Sequence, residues 1–190
     1  VRQRTTYEGE VIEDLDEESL RAIAAKLREQ GTEAVAINFL HSYINGEHER
    51  RARDILGEEL PNAYVSISSD ILPEIREFER TSTTVVNAYL GPVLDRYLSA
   101  LSERLRDFGY DGPMLITHSG GGVMSVEAAR EIPARICQSG PAAGVMAGAN
   151  LGRATDRPNV INLDVGGTSA DVSLARGGRP LIRAEWNINF

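Results

Sequence analysis

With 190 residues, 42% hydrophobic and 25% charged, the chain has the composition of an ordinary soluble globular protein and room for one large domain or two small ones. A net charge of -8 and a pI near 5.0 argue against nucleic acid as the main partner, so an anionic ligand would need local help from backbone N–H groups, a helix N-terminus or a metal. Cys137 is the single cysteine, which excludes an internal disulfide and fits a reducing, cytoplasmic setting, and no apolar run approaches the roughly 18 residues of a membrane span.

In chain order, residues 16 to 30 read as a helix. Asp16 can cap it, Glu17 and Glu18 suit its first turn, Gly31 ends it, and Leu20, Ile23, Ala24 and Leu27 form one apolar stripe. Residues 34 to 40 (AVAINFL) predict a buried strand. Residues 47 to 60 predict a second helix with Ala52, Ile55, Leu56 and Leu60 inward, and its charged start, EHERRAR, reads as a solvated face. AYVSIS, 63 to 68, predicts another strand. Strand, helix, strand at these lengths implies a parallel α/β layer. His41 and His48 lack a Cys or carboxylate cluster at ligand spacing, so no zinc site is expected.

From Phe78 to Phe108 the pattern is helical, with Leu94, Leu98, Leu101, Leu105 and Phe108 on one face. Gly91-Pro92 predicts a break or a bend. PMLIT (113–117) reads as a strand, HSGGGV as a loop, and SVEAARE as a short helix opening with Ser125. ARICQ (134–138) is compatible with a strand, and SGPAAGVMAGANLG (139–152) with a small-residue helix that has Pro141 in its first turn. Strands are expected at 160–165 and 170–176, then a hairpin turn at Arg176-Gly177-Gly178-Arg179 into a strand near 180–184. A boundary is expected near 70–80.

The densest chemistry lies in VINLDVGGTSADVSL, residues 160 to 174. Two glycines let a backbone approach a ligand with no Cβ in the way. A tight turn there points successive N–H groups, with the hydroxyls of Thr168 and Ser169, into one concavity suited to phosphate oxygens. Asp164 and Asp171 at its two ends could hold a magnesium ion, or orient an attacking water or hydroxyl. An ordinary Gly-Gly hairpin turn fits the same letters. In the preceding helix, Ser139-Gly140 opens an N-terminus able to face an anion, while Gly144, Ala147, Gly148 and Ala149 serve close packing. In THSGGGVMS, Ser119, Gly120, Gly121 and Gly122 could receive a nucleotide or a substrate group, or simply connect a strand to a helix. His118 has no triad partner in view, and catalysis by it is not expected.

A small-residue helix followed by an Asp-x-Gly-Gly-Thr turn between antiparallel strands resembles the actin-like ATPase superfamily, whose fold is ribonuclease H-like. Within it, FLHSYINGEHERRARDILGEELP, FERTSTTVVNAYLGPVL, THSGGGVMSVEAAREIPARICQSGPAAGVMAGA and VINLDVGGTSADVSL are similar, in that order, to the hydantoinase/oxoprolinase family, A-type subunit. The resemblance spans essentially the whole chain. It implies α/β fragments of the actin-like ATPase fold, a mixed sheet with flanking helices: 1–77 as the end of the family's N-terminal domain and 78–190 as the start of its catalytic domain.

The implied activity is ATP- and Mg2+-dependent opening of a cyclic amide such as a hydantoin or 5-oxoproline, through phosphorylation of an amide or enolate oxygen, with a B-type subunit as partner. A carboxylase subunit acting on acetone or acetophenone, or an actin-like ATPase serving as a conformational switch, are the alternatives. By resemblance Asp164, Gly166, Gly167 and Thr168 fall on the second phosphate loop, Asp164 toward the metal, and Asp171 on its trailing acid. Ser139 to Ala149 fall on the connecting helix and Ser119 to Gly122 on the glycine loop before it. Family patterns often show Asn-Gly-Gly where this chain has Gly120-Gly121-Gly122, and Thr where it has Ala170. The first phosphate loop is expected before Val1 and the rest of the nucleotide site beyond Phe190. The 190 residues alone are therefore expected to show no turnover and weak or no ATP binding.

Overall fold

The computed structural model describes residues 1–182; positions 183 and 184 of the last predicted strand lie outside the described residues. The chain forms two compact units. One comprises Val1–Asp111 with Arg130–Ala134, the other Gly112–Ala129 with the chain from Arg135 on.

In the first unit a short antiparallel pair, β1 (Arg4–Thr5) and β2 (Val11–Glu13), precedes α1 (Glu17–Glu29). Asp16 Oδ1 accepts from Ser19 N–H at 3.0 Å, Glu17 and Glu18 lie at the positive end of the helix dipole, and Gly31 exits with φ of +65°. Then come β3 (Ala34–Ile37), α2 (Glu47–Glu59) and β4 (Tyr64–Ile67). The two strands pair in parallel, Ala34 opposite Tyr64 through Ile37 opposite Ile67, as the strand–helix–strand pattern predicts. Leu20, Ala24, Ile37, Ala52, Ile55, Leu56, Leu60 and Ile67 form one core. Each large member contributes about 1.5–3 kcal/mol by leaving water.

β3 stops three residues short of its predicted end because Phe39 has other partners. Its N–H donates to Glu49 Oε1 (2.7 Å) and its carbonyl accepts from Arg80 Nη2 (3.1 Å). Glu49 also accepts from Ser68 Oγ and Ser69 N–H, both at 2.7 Å, and is fully buried. The start of α2 is therefore not the solvated face that its charges suggest. His48 is buried as well, with Nδ1 3.0 Å from Gln3 Oε1. Three hydrogen bonds replace the water that a buried carboxylate gives up.

After α3 (Ser68–Ile71), α4 runs unbroken from Glu77 to Asp107, one helix where Gly91-Pro92 allowed two. Gly91 is explained by β4: a Cβ there would stand 2.3 Å from the Tyr64 ring. The face that α4 buries is largely polar, with Arg80, Thr84 and Asn87 fully covered. Of the predicted leucine face, Leu98 is buried but Phe108 is exposed. Asn87 Oδ1 accepts from Ala134 N–H (3.0 Å), and Tyr64 Oη donates to the carbonyls of Arg130 and Glu131 (2.6 and 3.0 Å), so both hold the Arg130–Ala134 segment. Burial pushes the Tyr64 phenol up to about 12.

In the second unit β5 (Leu115–Thr117) and β6 (Val123–Ser125) form an antiparallel hairpin. α5 (Val126–Glu131) opens with Ser125 Oγ accepting from Ala128 N–H. Pro133–Ile136 is a 3-10 turn, not a strand: the Arg135 carbonyl is taken by Ser119 N–H and Ser119 Oγ, at 2.7 and 2.6 Å. Then follow α6 (Ser139–Ala154) and the antiparallel strands β7 (Val160–Val165), β8 (Ala170–Arg176) and β9 (Arg179–Pro180).

Candidate functional site

The second unit gathers most of the residues singled out in the sequence around α6. β7 and β8 pair from Val160 opposite Ala175 to Val165 opposite Ala170, which sets Asp164 directly opposite Asp171. Gly166 N–H donates to the Ser169 carbonyl at 2.9 Å, leaving Gly167 and Thr168 at the tip. Because side chains alternate along strands, Val160, Asn162, Asp164, Asp171, Ser173 and Ala175 share one face.

That face meets the glycines of α6. A Cβ on Gly144 would lie 3.5 Å from Asp164 Oδ2, one on Gly148 2.9 Å from Asn162 Oδ1, and one on Gly152 2.5 Å from Val160 Cγ2. Four-residue steps along a helix, about 6 Å, match two-residue steps along a strand, about 6.6 Å, so glycine and strand residue stay in register. The numbers run in opposite directions, so α6 is antiparallel to β7. Its first turn, with Ser139 and Gly140, therefore lies at the end where β7 enters the Gly166–Ser169 turn. Among the described residues, α6's own backbone aside, no heavy atom stands within 4 Å of a Cβ built on Gly140. The opposite face of the hairpin is apolar and exposed, Ile161 at 74% and Val172 at 67%.

Gly166 and Gly167 have neither of the usual local reasons to be glycine. Neither has a positive φ. Among the described residues a Cβ on Gly167 would meet nothing within 4 Å, and one on Gly166 only the Ser169 carbonyl at 3.7 Å. Thr168 and Ser169 beside them are exposed. Among the described residues the turn thus presents bare backbone.

Asp164 and Asp171 are exposed, and among the described residues neither has an ion-pair partner. Like charges directly opposite across strands repel, and a cation between them removes that cost. Their oxygens are hard donors of the kind magnesium takes. No group of three or more His, Cys, Asp or Glu residues able to hold a metal occurs among the described residues. Two carboxylates fit an ion that completes its shell with water or ligand oxygens.

The glycine loop sits on another side of the helix. A Cβ on Gly121 would meet Met146 Cγ at 2.8 Å, and Met146 points about 200° around α6 from Gly144. Ser119 Oγ, besides donating to Arg135, accepts from Gln138 N–H at 3.1 Å, which ties the loop to the residue before α6. Ser119, Gly120 and Gly121 are thus joined to the start of α6 but not to the face that carries Asp164.

The Hydantoinase/oxoprolinase pattern matches residues 80–189, more than half the chain, and the Hydantoinase/oxoprolinase N-terminal region matches residues 1–60. The chain belongs to the hydantoinase/oxoprolinase family. Among the relatives of this family member, caprolactamase subunit alpha of Pseudomonas jessenii is 39% identical over 176 residues, 93% of this chain and 25% of that protein. The 5-oxoprolinase of Saccharomyces cerevisiae is 36% identical over 172 residues, 89% of this chain and 13% of its own length. In solved structures, the ATP-dependent caprolactamase of Pseudomonas jessenii superposes with TM-score 0.82 at 37% identity, over 92% of this chain and 25% of that one. A nucleotide-free acetone carboxylase, from a study of ATP-dependent acetone carboxylation, superposes with TM-score 0.82 at 34% identity, over 93% and 25%. The chain spans about a quarter of the length of caprolactamase subunit alpha and of these two structures.

Proposed function

We propose that these residues are part of an ATP-dependent enzyme that activates a cyclic amide by phosphorylation, and that the Gly166–Ser169 turn is its second phosphate loop in an actin-like fold. The observation that carries this reading is the pair Gly166-Gly167, glycines that neither backbone conformation nor packing among the described residues requires. Bare backbone is then available to phosphate oxygens. The Gly166 N–H is taken by the Ser169 carbonyl and is not free as the sequence suggests; the Gly167 peptide group and the Thr168 and Ser169 hydroxyls surround the phosphate oxygens, and the first turn of α6 at Ser139 and Gly140 adds its dipole from the same end.

Asp164 would hold Mg2+, with Asp171 reaching it directly or through water. When bound, the ion offsets phosphate charge. Asp171 orients the attacking oxygen, which is positioning rather than covalent chemistry. Phosphorylating an amide oxygen makes a poor electrophile reactive toward water, which fits relatives named for 5-oxoproline and caprolactam. A B-type subunit is the expected partner, the division at 77/78 belongs to the same reading, and the setting is cytoplasmic.

A second reading has specific support: the acetone carboxylase structure matches as well as the caprolactamase does. In that case the phosphorylated atom is an enolate oxygen. Both readings are tested in the full-length protein with its partner subunit. ATP hydrolysis stimulated by 5-oxoproline, caprolactam or hydantoin supports the first, and stimulation only by a ketone with bicarbonate supports the second. Under either, Asp164→Ala lowers ATP hydrolysis by at least 10²-fold. Unchanged hydrolysis would remove the turn from the site.

A further inference from the structure

We propose that His118 is the ligand-facing side chain of the glycine loop, donating a hydrogen bond from Nε2 to a substrate carbonyl oxygen. The inference rests on the ATP-dependent reading above, and its starting point is why the loop has three glycines. Gly121 has φ of +81°, a conformation that favours glycine, and its Cβ position is closed by Met146. Gly120 and Gly122 have no positive φ, so conformation does not require glycine there. The imidazole excludes a side chain instead. A Cβ on Gly120 would stand 2.9 Å from His118 Cε1, and one on Gly122 2.7 Å from His118 Nε2. The loop is wrapped around this ring, closed by His118 N–H donating to the Gly122 carbonyl (3.0 Å) and Gly121 N–H to the His118 carbonyl (2.9 Å).

The ring is also fixed chemically. Gly120 N–H donates to His118 Nδ1 at 3.0 Å, so in the neutral imidazole Nδ1 is the acceptor and the proton sits on Nε2. That N–H has no partner among the described residues, and the ring is half-buried. The other side-chain donor of the loop is in use: Ser119 Oγ donates to Arg135 and accepts from Gln138. His118 is therefore the side chain with a donor to spare. An apolar ring would fill the same volume, but it would offer neither the acceptor that holds Gly120 nor the second ring N–H.

The ligand class follows from position. The acidic pair Asp164 and Asp171 and the bare turn occupy one face of α6, whereas this loop is tied to Gln138 and Met146 on another. A hydrogen-bond donor there suits an oxygen that gains negative charge as it reacts, such as an amide or ketone carbonyl. Two substitutions in the full-length protein separate donor from filler. His118→Leu keeps bulk without a donor, and His118→Gln keeps a side-chain N–H. We expect kcat/KM for substrate-dependent ATP hydrolysis, tested with 5-oxoproline and caprolactam, to fall about 10²-fold in His118→Leu. His118→Gln stays within about tenfold of wild type, and Kd for Mg-ATP is unchanged in both.

Equal losses in the two variants, no loss in His118→Leu, or a loss carried by Mg-ATP affinity would overturn the proposal. Nitrogen NMR of histidine-labelled protein supplies the independent arm. A proton on Nε2 is expected, and a proton on Nδ1 refutes the donor assignment whatever the activity. A wild-type protein with the Nε2 proton but no ATP hydrolysis on any of these substrates would instead refute the proposed function, and with it the ligand.

Discussion

Two Gly-Gly pairs stand eleven residues apart in the same three-stranded sheet, and they are glycine for opposite reasons. Gly177 and Gly178 join β8 to β9 with φ of +59° and +73°, the conformation that a two-residue hairpin turn demands, and the Cβ position of Gly178 is filled by Arg153 Cγ at 2.5 Å. Gly166 and Gly167 join β7 to β8 with no positive φ and, among the described residues, no neighbour that a Cβ would strike. One pair is explained by the fold. The other is left for whatever approaches it. As letters the two look alike, and conformation with packing tells them apart.

The comparison breaks most readily at the turn between β7 and β8. Gly166→Ala and Gly167→Ala in the full-length protein should lower ATP hydrolysis by about 10²-fold while moving the melting midpoint little, since no contact is violated. Reduced hydrolysis with an equal loss of stability would make this turn structural after all. Gly178→Ala should do the reverse, costing about 1–2 kcal/mol through its left-handed backbone and the displaced Arg153, with hydrolysis per folded molecule retained.

The stripe behind the turn sharpens the point. On Gly152 a methyl would meet the Arg157 carbonyl at 2.7 Å, which is backbone, whereas on Gly148 it meets the end of the Asn162 amide. Gly152→Ala should therefore cost about 1–3 kcal/mol and Gly148→Ala less, read by differential scanning fluorimetry.

The smallest effect lies far from either turn. The Tyr64 phenol sits in the first unit at about 12, above its usual 10. An acid whose pKa is raised by folding is stabilising below the unfolded value and loses that contribution as pH climbs through the folded one. Denaturant midpoints should fall between pH 10 and 12 in the wild type and fall less in Tyr64→Phe.

Most of the architecture was legible because it is periodic. The stripe Leu20, Ala24, the parallel pairing of β3 with β4, and the register of β7 with β8 follow from 3.6- and 2-residue repeats. What escaped depends on partners distant in the chain. Glu49 reads as solvated because a charged helix start usually is; nothing local reveals that Phe39, Ser68 and Ser69 converge on it. Residues 134–138 have strand-like letters, but Ser119 takes the Arg135 carbonyl and the segment turns. At the candidate site the positions of Asp164, Asp171 and the turn were legible. The grouping was not: the loop at Ser119 lies on another side of α6, a fact of helix rotation visible once Gly121 is seen against Met146.

The central claim is that Gly166-Gly167 is bare because phosphate comes there. Its most direct test is calorimetric binding of Mg-ATP to the full-length protein and to Gly167→Val. The wild type should bind measurably, and the folded variant at least about tenfold more weakly. Equal affinity in the two proteins would contradict it.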